Sequence, residues 1–476
     1  AGNSTISSVT YDASRITHSL DGEVVGSEIF GLGMAEHASI SLSNINDLTL
    51  QLGSGADSLN LASKLSETDV FGNSGNDTIN AQAAHGVLNI STGEGSDSLV
   101  VNLNDVAVNA NAAKISLEGG EGGDAYVVHA PDTAISGHLR IHVQENGSLG
   151  TDTLSYYGTA NDDFTHFDVI SNRSRGYDTT YGNLGDGLIV GQYDPSLLGH
   201  ERLDPLDEED LHKVEESQLV TGENAFIVNY GQGSLPFEKI VVAAGEGNDI
   251  FVSDDTAGVL AVYGDAGDDE FYVGSILETE QVMVDGLIMT VVKEITSGVG
   301  VAGTQFFGGN DDDYFEVNHN KAEISLFGDN GSDTFVIKAL LKLDENRTLK
   351  HLLSETATVS GVLGDDSDRN GNLIIDTRQV DRDSLVYIEN ANINIDGGSG
   401  FDALTVVGTP LGDTFYVFTE LENGKSVQRI YGAGTQLSSV LSIERINLFT
   451  GGGDDTVFIY GVDAGLFGDV IIRTGS

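Results

Sequence analysis

The sequence predicts an all-β chain built as a parallel β-solenoid of the β-helix or β-roll type. Three observations predict it: a glycine turn closed by aspartate that recurs every twenty residues, alternating strands between the turns, and a longer self-similarity that repeats whole groups of turns.

The turns come first. Gly53-Ser-Gly55-Ala-Asp57, Gly72-Asn-Ser-Gly75-Asn-Asp77 and Gly93-Glu-Gly95-Ser-Asp97 place their aspartates twenty residues apart. The same turn returns, at less regular spacing, before Asp124, Asp152, Asp163, Asp249, Asp269, Asp313, Asp333, Asp402, Asp413 and Asp455. At most of them an apolar residue follows two places after the aspartate, as Leu59, Ile79, Leu99, Tyr126, Phe271, Phe315, Phe335 and Leu404. Twenty residues suffice for two short strands and two turns, so successive strands should stack in parallel and bury one face. Segments such as Ser98-Leu-Val-Val-Asn-Leu103 and Lys114-Ile-Ser-Leu117 alternate as half-buried strands do.

A longer period contains the turns. The pair Asp152 and Asp163 returns 250 residues later as Asp402 and Asp413, in matching contexts from Asp152-Thr-Leu-Ser to Gly158-Thr and from Asp402-Ala-Leu-Thr to Gly408-Thr. Three entry strands resemble one another: Ile45-Asn-Asp-Leu, Phe237-Glu-Lys-Ile and Ile443-Glu-Arg-Ile. These matches divide the chain into super-repeats of about 200 residues, at 1–195, at 196–420 and, as the start of a third, at 421–476. Val470-Ile-Ile-Arg-Thr-Gly475-Ser476 reads as the strand and first glycine of a further turn, as expected for a segment of a longer repeat protein. Two insertions carry helical patterns: 203–217, with Asp204 as cap and Pro205 at the first position, and 338–353.

Composition limits the function. With 22 basic and 74 acidic side chains the net charge is −52. Nucleic acid is excluded as a partner, because phosphate binding requires clustered Lys and Arg, and anionic membranes are excluded for the same reason. No apolar run is long enough for membrane insertion. Acidic chains are commonly disordered, but 39% of these residues are hydrophobic and they alternate, so the chain should fold once its charge is neutralised. There is no cysteine, so neither disulfides nor thiol chemistry contributes.

The turn chemistry suits a hard cation. Ca²⁺ takes six to eight oxygens, and a glycine turn can direct several carbonyls at one centre while the aspartate supplies charge. The candidate ligands are Asp57, Asp77, Asp97, Asp124, Asp152, Asp249, Asp269, Asp313, Asp333, Asp402, Asp413 and Asp455. Gly and Asp also occupy such turns merely because they tolerate left-handed backbone, with no metal required. Extra carboxylates at Asp265, Asp268, Asp312, Asp329 and Asp454 are equally well read as a solvated acidic face. A second type of candidate is Asp366-Ser-Asp368-Arg-Asn370-Gly-Asn-Leu-Ile-Ile-Asp376, which begins like an EF-hand loop but carries Thr377 where the bidentate Glu should stand.

The turns Gly119-Gly-Glu-Gly-Gly-Asp124-Ala-Tyr126 and Gly397-Gly-Ser-Gly-Phe-Asp402-Ala-Leu404 resemble the nonapeptide of repeat-in-toxin (RTX) calcium-binding proteins, G-G-x-G-x-D-x-U-x. The resemblance implies calcium bound by aspartate and turn carbonyls, and a β-roll that folds after secretion. RTX nonapeptides run in uninterrupted tandem, whereas these turns stand singly at twenty or irregular intervals, so the chain also resembles giant extracellular β-solenoid repeat proteins.

Catalysis finds no support in the residues. There is no nucleophile elbow, HExxH or Walker loop, and the 11 histidines are scattered. The expectation is a non-enzymatic, calcium-stabilised structural segment of an extracellular or cell-surface filament, sheath, appendage or adhesin stalk. Its partners would be Ca²⁺, neighbouring copies or further repeats, and extracellular polysaccharide. The alternative is a carrier or carbohydrate-binding module of a secreted polysaccharide-modifying enzyme or toxin.

Overall fold

The computed structural model describes residues 8–12, 21–26, 28–31, 38–42, 45–63, 65–84, 86–102, 114–130, 140–144, 147, 149–169, 186–192, 213–217, 225–229, 237–256, 258–344, 378–461 and 469–474. These form thirty-eight strands, β1 to β38 in chain order, and among the described residues the only helical element is a 3-10 turn, Arg382–Ser384. The structure is therefore nearly all β, with large parallel sheets. The EF-hand-like residues Asp366, Asp368, Asn370 and Asp376 lie outside the described residues, as does most of the helix expected at 203–217. The described part of that segment, Lys213–Ser217, is not helical. The helix expected at 338–353 is corrected where it is described. Lys338 ends strand β27 (Thr334–Lys338) and Leu341–Leu343 form β28, because Ala339, Leu340 and Leu341 are each drawn into a different buried apolar cluster.

From β5 (Asp47–Gly53) onward the chain alternates between two sheets. In sheet 1, β5, β7 (Glu67–Ser74), β9 (Val87–Glu94), β11 (Lys114–Glu121) and β13 (Arg140–Gln144) pair in parallel. In sheet 2, β6 (Ser58–Ser63), β8 (Thr78–Ala84), β10 (Ser98–Asn102), β12 (Ala125–His129) and β14 (Thr153–Tyr157) do the same. The twenty-residue spacing is the register itself: Asp47 faces Glu67, which faces Val87. Later layers are longer, yet Ser98 still faces Ala125 and Ala125 faces Thr153, because the extra residues lie in connections away from the aspartate turns.

One core fills the space between the sheets. Leu59, Ile79, Leu99, Tyr126 and Leu154 form a buried column in register, each within 0% exposure. Beyond residue 237 a second column, on sheet 1, is aromatic, with Phe251, Phe271, Phe315 and Phe335 stacked at 4.8, 4.6 and 4.8 Å between ring centres. Parallel strands 4.7–4.9 Å apart bring identical side chains to ring-stacking distance, which favours aromatics repeated in register.

Three antiparallel insertions interrupt the stacks. They are β2 (Asp21–Gly26), β3 (Glu28–Gly31) and β4 (Ser39–Ser41) in sheet 2; β15 (Asp163–Val169), β16 (Asp186–Gln192) and β17 (Ala225–Asn229) in sheet 1; and β33 (Thr414–Glu422), β34 (Lys425–Gly432) and β35 (Thr435–Leu441) in sheet 2. After each one an entry strand stacks on the opposite sheet: β5 on β1 (Ser8–Asp12), β18 (Lys239–Glu246) on β14, and β36 (Arg445–Gly451) on β32 (Ala403–Thr409). The register is the same each time, with Ser8 facing Asp47, Thr153 facing Lys239 and Ala403 facing Arg445.

A third sheet, ordered β29 (Arg378–Gln379), β22 (Ile276–Val284), β23 (Leu287–Ile295), β28 and β30 (Leu385–Tyr387), belongs to the second stretch. In that stretch strands of sheet 1 are buried on both faces, and the second face carries Ile250, Val252, Tyr272, Tyr314, Val336 and Val407 together with a buried Lys338–Glu316 ion pair of 3.1 Å. Truncating the middle of the aromatic column should be costly: Phe315→Ala is expected to lower unfolding free energy by about 3–5 kcal/mol in denaturant titrations. A loss below ~1 kcal/mol would show that the column does not pack as described.

Candidate functional site: the aspartate ladders

The backbone leaves the strand conformation at each glycine turn, and there the amide of the turn aspartate loses its sheet partner while remaining out of water. A buried N–H without an acceptor costs roughly 1–3 kcal/mol. The aspartate of the next layer supplies the acceptor. The Asp57 N–H donates to Oδ1 of Asp77 at 2.9 Å, Asp77 to Asp97 at 2.7 Å, Asp97 to Asp124 at 2.9 Å and Asp124 to Asp152 at 2.8 Å. In the opposite sense the amide after each aspartate donates to the carbonyl of the aspartate one layer back, Thr78 to Asp57 and Ser98 to Asp77, both at 2.8 Å. Each layer is thus bonded to the next twice at its turn.

The second ladder runs through Asp163, Asp249, Asp269, Asp313, Asp333 and Asp402, with N–H to Oδ1 distances of 2.6, 2.7, 2.9, 2.9 and 2.9 Å. The third begins with Asp413 donating to Asp455 at 2.9 Å. The first and third ladders lie where the chain passes from sheet 1 to sheet 2, and the second where it passes from sheet 2 to sheet 1. The 250-residue duplication marks these exchanges. Asp152 and Asp402 end ladders, their N–H groups donating to Oε2 of Glu238 and Glu444 at 2.8 Å each. Asp163 and Asp413 open ladders, their Oδ2 atoms accepting from the Thr159 and Thr409 amides at 2.6 Å. The irregularly spaced Asp124, Asp152, Asp163 and Asp413 therefore join the same kind of ladder as the regular ones.

The carboxylates point inward. Asp269, Asp313, Asp333 and Asp402 are 0% exposed, and Asp163, the most exposed of those from Asp57 to Asp413, is 6% exposed. Oδ2 of Asp77, Asp249, Asp269, Asp313 and Asp333 is buried with no hydrogen-bond donor among the described residues. At Asp77, Asp269 and Asp333 it packs against the glycine five residues earlier and beside a backbone carbonyl. A methyl group on Gly264 would lie 2.0 Å from Oδ2 of Asp269 and 2.6 Å from the Gly308 oxygen. On Gly72 it would lie 2.2 Å from Oδ2 of Asp77 and 2.6 Å from the Thr92 oxygen, and on Gly328 2.1 Å from Oδ2 of Asp333 and 2.5 Å from the Gly397 oxygen. These glycines are required by space. Gly267, with φ at 131°, is required by conformation.

Loss of water around the carboxyl is the main cause that pushes these groups up, opposed by the N–H bond and reinforced by carboxylates in adjacent layers. Asp77, Asp269 and Asp333 rise to about 7, Asp249 to about 8 and Asp313 to about 9. Asp402 and Asp413 rise to about 6. An outer row flanks the second ladder and is bonded in the reverse direction. Asn248 donates its amide to Oδ1 of Asp162, Asp268 to Asn248 and Asp312 to Asp268, each at 3.0 Å, and Ser332 donates to Asp312 at 2.7 Å. Asp265, Asp268, Asp312, Asp329 and Asp454 are exposed, consistent with a solvated acidic face.

Sequence reasoning placed the turn aspartates together but missed Glu238 and Glu444, although both occupy the same position of the recognised entry strands. It also missed that the carboxylates face the interior. Among the described residues no three His, Asp or Glu side chains converge as a metal-holding group. No protein-family model, curated protein or solved structure matches the chain.

Two outcomes are expected. Gly264→Ala should destabilise the fold by about 2–5 kcal/mol through overlap with Asp269, read by denaturant unfolding; a change within ~0.5 kcal/mol contradicts the contact. The folded carboxyls bind protons more tightly than the unfolded ones, whose value is 3.8. Their contribution is therefore complete below that value and is lost as pH rises through about 6 to 9. In chelator the melting temperature should be higher at pH 5 than at pH 8.5, and the reverse order would show that the ladder ionises freely.

Proposed function

We propose that this chain is a structural β-solenoid segment of a large extracellular assembly, a surface filament, sheath, appendage or adhesin stalk, in which stacked layers add length. The observation that carries the reading is the ladder itself. Every turn aspartate from Asp57 to Asp152, and again from Asp163 to Asp402, is bonded to the layer after it. Such a stack is extended by adding layers, and its stability comes from contacts between adjacent layers.

Calcium stabilisation is part of this reading, and one observation favours it. Oδ2 of Asp77, Asp269 and Asp333 is a buried acidic oxygen with no hydrogen-bond donor among the described residues, and a backbone carbonyl lies near it beside Gly72, Gly264 and Gly328. Oxygen donors of this kind suit a hard cation as well as a proton. Asp77, Asp269 and Asp333 are the residues that would hold the ion, together with the carbonyls of Thr92, Gly308 and Gly397. Bound Ca²⁺ would supply positive charge to a chain of net charge −52 and couple folding to secretion into a calcium-rich exterior.

Asparagine separates the proton from the cation. Asp269→Asn keeps the Oδ1 acceptor and places a neutral NH₂ where Oδ2 stands, so at pH 8 in chelator it should stabilise the chain by about 1–2 kcal/mol. Millimolar Ca²⁺ should stabilise the parent chain and do so less for the variant, measured by thermal unfolding. A parent chain indifferent to calcium after verified metal removal would reject calcium stabilisation. Small-angle scattering tests the reading as a whole: a rod-like profile is expected, and a compact globular profile would reject it.

A further inference from the structure

One layer of the second stretch brings an amine, a carboxylate and an amide together out of water. Strands β25 (Tyr314–Val317) and β27 are parallel neighbours in sheet 1, with Glu316 facing Val336. One step past the last pair of that register, Val317 with Ile337, Asn318 comes level with Lys338. Side chains alternate along a strand, so Glu316, Asn318 and Lys338 share the apolar second face with Tyr314 and Val336. All three are buried: Asn318 is 3%, Glu316 4% and Lys338 8% exposed.

The three groups meet at one oxygen. Oε1 of Glu316 lies 3.1 Å from Nζ of Lys338 and accepts from Nδ2 of Asn318 at 3.2 Å. The Tyr314 hydroxyl donates to Oε2 of Glu316 at 2.9 Å, and Nδ2 of Asn318 donates also to the Gly274 carbonyl at 3.2 Å, so carboxylate and amide are both held in place. Oδ1 of Asn318 is buried with no hydrogen-bond partner among the described residues. Buried polar side chains are nearly always satisfied, and an acceptor left over beside an ion pair points to a role other than packing. Next to Lys338 a cavity of ≈ 20 Å³, lined also by Val407, Gly408 and Thr409, has room for one water-sized molecule.

We propose that Lys338 and Asn318 join covalently, Nζ to Cγ, as an amide cross-link between the ends of adjacent strands, with Glu316 carrying the protons and ammonia leaving. The inference goes beyond the proposed function and stands without it. Transfer of one proton from Nζ to Oε1 turns the ion pair into a neutral amine and a carboxylic acid, which removes two charges from an interior that solvates neither. The amine's electron pair then attacks Cγ of Asn318 and the Nζ–Cγ bond forms. Glu316 hands its proton to Nδ2 and takes a second one from Nζ. The Cγ–Nδ2 bond breaks, its electron pair leaves with the nitrogen as ammonia, and the carbonyl is restored. The products are a secondary amide, ammonia and protonated Glu316, so atoms and charge balance with no other reagent. Glu316 is the catalytic residue, acting first as base and then as acid. Held on neighbouring strands, amine and amide react without the entropy cost of meeting. The link closes one layer, from Asn318 to Lys338, into a loop that tension along the stack cannot open without breaking a covalent bond.

Mass spectrometry of the folded, purified chain tests the link. The parent should weigh one ammonia less than its sequence, trypsin should fail to cut after Lys338, and the peptide 294–321 should be recovered joined to 322–342. Glu316→Gln preserves the shape but cannot take the proton, and Lys338→Arg preserves the ion pair but cannot form the amide. Both variants should have their full sequence mass and yield 294–321 unlinked. A parent chain that gives the unmodified peptide 322–338 in full yield overturns the proposal. So does a loss of ammonia confined to an unlinked 294–321, which marks ring closure at Asn318-His319 instead. Linkage that persists undiminished in Glu316→Gln overturns the part given to Glu316. Should that variant fail to fold by circular dichroism, Glu316→Asp replaces it: slowed linkage is expected, and linkage at the parent's rate overturns the same part. The parent chain alone decides whether the link exists.

Discussion

The interaction on which the rest of the structure depends is the hydrogen bond from a turn aspartate's amide to the carboxylate one layer on. It answers a local problem, since a tight glycine turn takes the amide out of the sheet without returning it to water. The answer has wide consequences. Because acceptor and donor belong to successive layers, the turns must stack in register at the strand spacing of about 4.8 Å. Because Oδ2 then lies against the chain five residues back, Gly72, Gly264, Gly308 and Gly328 can carry no side chain. The constraint acts between turns, not along the chain, so connections of any length are accommodated elsewhere. Ser98 and Ala125 stand in register as well as Ser58 and Thr78 do.

The bond has an electrostatic cost. A row of buried carboxylates a few ångströms apart repels itself, and burial alone disfavours the charged form. The ladders limit that cost by ending: Glu238 and Glu444 accept the last amide from entry strands, and the next ladder starts on the opposite edge. Exchange of edges divides the buried acids into separate lines of moderate length. As first members, Asp163 and Asp413 turn Oδ2 to the local Thr159 and Thr409 amides, while their own N–H groups donate to the carboxylates of the next layer.

Much of this was legible in the sequence because its physical cause is periodic. Twenty-residue spacing required a stack, alternation as in Lys114–Leu117 required half-buried strands, and the duplicated Asp152–Asp163 and Asp402–Asp413 pairs marked something built twice. The direction of the carboxylates was not legible, since an aspartate on a glycine turn reads the same whether it faces a solvated cation or a buried amide. The third sheet was hidden for another reason. Leu340 and Leu341 follow β27 in a run with Lys338 and Lys342 that has helical spacing, and only the apolar residues of β22 and β23, which cluster with both, decide that the chain continues into strand β28 at Leu341. Glu238 was concealed by its distance of 86 residues from Asp152.

The antiparallel insertions complete the argument. A stack that ran on unchanged would keep its acids on one edge. Three antiparallel strands in one sheet return the chain in its original direction, and the entry strand then stacks on the other sheet. The glycine turn that follows consequently falls on the opposite edge. Asp124 and Asp152 precede strands of sheet 2, Asp249 and Asp269 precede strands of sheet 1, and Asp455 again precedes a strand of sheet 2. The same insertion thus does two things at once. It resets the line of buried charge, and it provides a strand, β17 or β35, onto which the preceding stack can close its core.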